Sequence, residues 1–176
     1  MRKPIRKIFT TGFTLIEFLV YTAVLSIVIA VISSFIVWSI HSTNKVKAMR
    51  ETLDNARRAM EIITYEIKEA KSIYTPNTTS TQLSLETTKY LPEGEETTYI
   101  DFYLCEKRLC FKKEGQGPAV LTSDSVEINN LVFTQIISGE TPSIQINLTA
   151  GYKNPDSRPE LQALVNLIST ASLRSY

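Results

Sequence analysis

One histidine, His41, and two cysteines are all that 176 residues offer among the side chains that most often ligate transition metals or act as catalytic bases. A His-based metal triad and a Ser-His-Asp set are thereby excluded. Two cysteines are too few for a disulfide scaffold; they fit one optional bridge in a small outward-facing domain. Glycine is sparse, six residues in all, and no phosphate-cradling glycine loop occurs. Neither charge dominates: 19 Lys and Arg against 18 Asp and Glu give +1, so nucleic acid is an unlikely partner on charge balance. Proline and glycine are both missing from Phe13 through Thr75, and Pro76 is the first residue that must end a helix there.

What the chain does have is one long apolar run. Phe13 to Ile40 reads FTLIEFLVYTAVLSIVIAVISSFIVWSI, and Glu17 is its single formally charged residue. As a helix these residues span roughly 42 Å, enough to cross a hydrocarbon core of about 30 Å. A carboxylate there costs about 2.5–3.5 kcal/mol unless something pairs with it. Glu17 therefore asks for a cation inside the membrane. Arg2, Lys3, Arg6 and Lys7 precede the run without any acidic residue, which holds that end in the cytoplasm and places the remainder outside. A secretory signal would carry its small cleavage-site residue after the apolar core. Here Gly12 comes before it, and cutting there leaves the helix on the mature protein. The plainer reading of the run is a single-pass anchor whose glutamate snorkels.

Gly12-Phe13-Thr14-Leu15-Ile16-Glu17 resembles the signature of type IV prepilins, the family of type IV pilins and type II secretion pseudopilins. The resemblance implies that a prepilin peptidase cuts between Gly12 and Phe13 and methylates the new amine of Phe13. It also implies that Glu17 pairs with the N-terminal amine of a neighbouring subunit during assembly. Losing residues 1–12 removes four basic residues and leaves 15 basic against 18 acidic, a net charge of −3.

From residue 41 to residue 74 the chain turns polar but keeps a helical stripe: Val46, Met49, Leu53, Ala56, Met60, Ile63, Ile67, Ala70 and Tyr74. The stripe is expected to pack on the protein's own sheet, with Val46 to Leu53 as the stretch suited to a partner helix. Ala56–Ile73 further resembles the helix of J-type minor pseudopilins and W-type minor pilins.

Residues 75–176 form the expected head. A Thr/Ser-rich lead-in from Thr75 to Thr88 is followed by alternating segments at Thr98–Leu104, Val126–Ile136 and Ser143–Thr149. Turn signals separate them at Pro92-Glu93-Gly94, Gly115-Gln116-Gly117-Pro118, Gly139-Glu140-Thr141-Pro142 and Asn154-Pro155-Asp156. The last segment, LQALVNLISTASLRSY, fits strand or helix by pattern. It is read as strand because Ser172-Leu173-Arg174 resembles the closing edge of pilin-like heads. The fold class is thus α+β and pilin-like: one long N-terminal helix, half membrane and half stalk, packed on an antiparallel sheet. Cys105 and Cys110 flank Glu106-Lys107-Arg108-Leu109, and in a hairpin they would face each other across the ladder as a disulfide; two buried thiols are the alternative. Many major pilins instead close a C-terminal loop with their disulfide, and many kink the membrane helix with a proline that this chain replaces by Ser33 and Ser34. Both departures favour a minor subunit.

Other motifs carry less. Ser42-Thr43-Asn44-Lys45 matches S-x-x-K but lacks its S-D-N and K-T-G companions. Glu93, Glu95 and Glu96 lack the spaced oxygen pattern of a calcium loop. Asn77-Thr78-Thr79 and Asn147-Leu148-Thr149 are sequons by coincidence. No enzyme, cofactor or metal is expected. The expected function is structural: a minor pilin or pseudopilin subunit whose partners are other subunits, the prepilin peptidase, an inner-membrane assembly platform and, before assembly, lipid. The alternative is a competence or adhesion pilin whose head grips DNA or a surface; against DNA stand the mature charge of −3 and the small size of the basic group near the cysteines, Arg108, Lys112 and Lys113.

Overall fold

The computed structural model describes residues 12–91, 93–137 and 141–174. The basic leader up to residue 11, Pro92, and Gly139-Glu140 of one expected turn lie outside the described residues. The chain divides after Ser42 into two units. The fold class is α+β, with one N-terminal helix, α1 (Leu15–Glu69), followed by antiparallel strands.

In the first unit, every residue from Leu15 to Val37 is exposed, including Leu25, Ile29, Val31 and Phe35. An exposed apolar stretch of this length has no place in water. It is long and apolar enough to cross a membrane. The hydroxyls of Thr22 and Ser26 return to the carbonyls of Phe18 and Thr22, at 3.0 and 2.8 Å, so they add no unpaired donor to an apolar solvent.

In the second unit, α1 buries one face made of Ala48, Thr52, Ala56, Ala59, Met60, Ile63, Glu66 and Ile67. The alanines let strands approach closely, and Ile63 and Ile67 are wholly buried. Thr52 stays in this face because its hydroxyl donates to the carbonyl of Ala48 at 2.8 Å. The expected packing of the stripe on the protein's own strands holds from Ala56 onward, whereas Val46 and Met49 are exposed. The helix ends at Glu69 and not at Tyr74. Ser72 and Ile73 form a strand because the backbone finds better partners there: Lys71 N–H donates to Glu86 O at 2.8 Å and Tyr74 N–H to Ser84 O at 3.0 Å.

The strands make two sheets where one was expected. The first joins β1 (Ser72–Ile73), β2 (Leu83–Thr87), β3 (Thr98–Cys105), β4 (Arg108–Lys113) and β5 (Ala119–Val120) in sequence order. The second joins β6 (Val126–Ile137), β7 (Pro142–Tyr152) and β8 (Leu164–Ser172). The closing segment is therefore a strand. Strand β2 emerges from the Thr/Ser-rich lead-in, with Leu83 and Leu85 fully buried. Both sheets share one core with α1, through Leu83, Ile100 and Phe102 on one side and Leu131, Ile146 and Leu148 on the other. Two backbone bonds tie the second sheet to the first, Ile128 N–H to Lys107 O at 2.7 Å and Phe133 N–H to Ser80 O at 2.8 Å.

Polar contacts clamp the end of α1. Glu66 is 5 % exposed, and Tyr90 donates its hydroxyl to Glu66 Oε1 at 3.2 Å. Burial and the Glu66 carboxyl push the Tyr90 hydroxyl above its ordinary range. Lys89 donates to Tyr65 at 3.0 Å and pairs with Glu69 at 3.2 Å, which together raise the lysine further.

Strand β1 is pinned by Glu86, which accepts from the Ser72 hydroxyl at 2.6 Å and pairs with Lys71 at 3.4 Å. These contacts, the serine bond first, hold Glu86 below its ordinary value of 4.5. A lowered carboxyl pKa means that the unfolded chain binds the extra proton. Its contribution is therefore present above the unfolded value and lost as pH falls through the folded one. Ser72→Ala should lower the unfolding temperature of the detergent-solubilised chain at about pH 7 and shrink its difference from the parent at about pH 3. An equal loss at both pH values would mean that the serine acts through packing.

Candidate functional site at the start of the helix

The chain approaches α1 in an exposed, non-helical stretch. A Cβ built on Gly12 meets nothing within 4 Å, and Phe13 is 78 % exposed. The bond between Gly12 and Phe13 is thus open to another protein in this structure. Thr14 opens the helix: its Oγ1 accepts the N–H of Glu17 at 3.4 Å and its carbonyl accepts Phe18 N–H at 3.2 Å. A threonine hydroxyl before the first helical residue satisfies one of the free N–H groups of the first turn.

Glu17 stands in that first turn, where the helix dipole favours an anion. Its Oε1 accepts the Tyr21 hydroxyl at 3.4 Å, one turn further along. The Tyr21 ring meets the Phe13 ring edge-on, with centroids 6.1 Å apart and planes at 73°. Glu17 and Tyr21 thereby share a helix face at a four-residue step, and Phe13 packs against it from the non-helical approach. Among the described residues no cation pairs with Glu17. No protein-family model matches the chain, and no curated protein or solved structure matches it either.

The structure places Gly12 and Phe13 in the non-helical approach to α1 and Glu17 in its first turn, and it adds Tyr21, which sequence reasoning passed over. The signal was present: a tyrosine four residues after the one acidic residue of an apolar run, where its hydroxyl needs a partner.

The other candidates sit elsewhere in the second unit. Cys105 and Cys110 form a disulfide with Cα atoms 5.9 Å apart. The ladder places Arg108 opposite Cys105 and Tyr103 opposite Cys110, so the cysteines meet on the diagonal and not face to face as expected. The turn between them is two residues long, Glu106 and Lys107, both with positive φ, at 49° and 60°. The basic group expected near the cysteines does not gather into a patch. Arg108 pairs with Asp124 at 2.6 Å, Lys112 lies opposite Asp101 in the ladder, and Lys113 sits 3.6 Å over the Tyr90 ring. Glu93, Glu95 and Glu96 are all exposed. Among the described residues no group of three or more His, Cys, Asp or Glu is placed to hold a metal.

Left-handed backbone costs an L-residue with a side chain about 1–2 kcal/mol, and a two-residue hairpin turn of this type prefers Asn-Gly. Replacing Glu106-Lys107 by Asn-Gly should therefore raise the unfolding temperature of the detergent-solubilised chain. An unchanged or lower midpoint would mean that the Lys107–Glu127 pair, 3.3 Å in length, outweighs the turn.

Proposed function

We propose that this protein is a structural minor subunit of a type IV pilus or type II secretion pseudopilus. It waits in the inner membrane as a prepilin, loses residues 1–12 to a prepilin peptidase, and enters a filament through its apolar helix with the help of an inner-membrane assembly platform. One observation carries the reading: an exposed Gly12–Phe13 bond leads into an exposed apolar helix whose first turn holds a carboxyl that no cation pairs with among the described residues.

The chemistry of assembly follows from charge. In lipid, Glu17 is costly, and cleavage after Gly12 creates an amine on Phe13. A subunit arriving in register lets that amine meet a neighbour's carboxylate. An unpaired charge in an apolar medium is expensive and a paired one is tolerable, so the contact checks register more than it adds stability. The exposed apolar residues from Leu15 to Ile40 then bundle with those of other subunits. The exposed Val46 and Met49 offer a further apolar contact to a neighbouring helix. The contacts of Arg108 with Asp124 and of Lys113 with the Tyr90 ring, and the mature charge of −3, weigh against a DNA-gripping head.

Glu17→Ala should leave membrane insertion and leader removal intact while lowering recovery in sheared filaments. Relief of about 2.5–3.5 kcal/mol corresponds to an upper bound of roughly sixty- to three-hundredfold. Assembly of this variant at the parental level would remove the pairing role. A bulky residue at position 12, as in Gly12→Leu, should block processing. Mass spectrometry that finds the leader gone from that variant would sink the cleavage-site assignment.

A further inference from the structure

Thr14-Leu15-Ile16-Glu17 has the pattern of a capping box, in which the threonine accepts from the third helical N–H and the glutamate folds back onto the threonine N–H. Half of this box is built, since Glu17 N–H donates to Thr14 Oγ1 at 3.4 Å. The carboxyl turns the other way. Its Oε1 accepts the hydroxyl of Tyr21, at 3.4 Å, in the second turn of the helix. Helical side chains lean toward the N-terminus, so the Tyr21 ring lies back over the turn before it and reaches Glu17 with its hydroxyl and Phe13 with its edge.

Resting on the assembly role read above for Glu17, we propose that Tyr21 is a positioning residue for that carboxyl. The competitor is the chain's own helix start. Its free N–H groups, its dipole, and the amine formed on Phe13 all attract Glu17 from within the same subunit. A carboxyl spent on its own N-terminus is not available to a neighbour's. The Tyr21 hydroxyl holds the Glu17 carboxyl toward the second turn, where an amine from another subunit can meet it. The arrangement also places the tyrosine hydroxyl, costly to leave unpaired in hydrocarbon, on an acceptor one turn away. Tyr21 itself touches no reacting bond.

The test compares parent, Tyr21→Phe, Glu17→Ala and the double variant, expressed as full-length prepilin with its own assembly system. Tyr21→Phe keeps the ring and its contact with Phe13 but removes the donor. Leader removal should be unchanged and recovery in sheared filaments lowered roughly three- to tenfold, the scale of one hydrogen bond. The double variant should match Glu17→Ala, because the hydroxyl has nothing left to hold. In lipid-reconstituted full chain, the ¹³C carboxyl shift of Glu17 should move on Tyr21→Phe, which a purely packing role of the ring would not cause. Parental recovery of Tyr21→Phe beside a defective Glu17→Ala overturns the positioning role and leaves the assembly reading standing. A double variant worse than Glu17→Ala, an unmoved carboxyl shift, or a retained leader in Tyr21→Phe also overturns it. Parental recovery of Glu17→Ala overturns both.

Discussion

The helix α1 answers to two solvents, and the rest of the protein depends on that division. Up to Ile40 its side chains are apolar around nearly the whole circumference, and every residue from Leu15 to Val37 is exposed. From Ala48 on it is apolar along one stripe, which both sheets cover. A helix apolar all round belongs in hydrocarbon or in a bundle of its own kind, and a helix with one apolar stripe belongs against a sheet. The changeover in pattern therefore sets where the stretch long and apolar enough to cross a membrane ends and where the core begins.

Within the apolar part, each polar group is handled in a different way. Thr22 and Ser26 are satisfied by backbone carbonyls one turn back, which costs nothing in packing. Glu17 has a hydroxyl and, among the described residues, no cation. A carboxyl half-satisfied in this manner is stable enough to wait and unsatisfied enough to bind, which is the behaviour that an assembly contact needs. In the proposed subunit the missing charge does not exist until the chain is cut. Processing and polymerisation are then joined by one electrostatic requirement.

Much of the fold was legible because periodicity is a strong signal where one face is buried. The strands β3, β6 and β7 announced themselves by alternation, and the long helix by its unbroken run without proline or glycine. The misses share a cause, namely that the partner lay far away in sequence. Ser72 to Tyr74 continues the helical stripe on paper, yet Ser84 and Glu86 offer it backbone bonds that a helix end cannot match. Leu83 and Leu85 are hidden among Ser and Thr residues and become core through their pairing with Phe102 and Ile100. Glu66 reads as a solvated charge on a stalk, but it is buried under Tyr90, 24 residues away.

The candidate site divides in the same way. Gly12, Phe13 and Glu17 were visible in the sequence, because a charge in an apolar run violates local composition and spacing fixes its place on a helix. The sequence by itself thus determined the membrane-length helix, the α+β class and the residue that asks for a cation, all of which follow from hydropathy and period along one strand of chain. The tertiary structure alone decided that α1 stops at Glu69, that the strands of the described residues split into two sheets around one core, and that the cysteines meet on a diagonal. Those outcomes turn on competition between hydrogen-bond partners that only folding brings within reach.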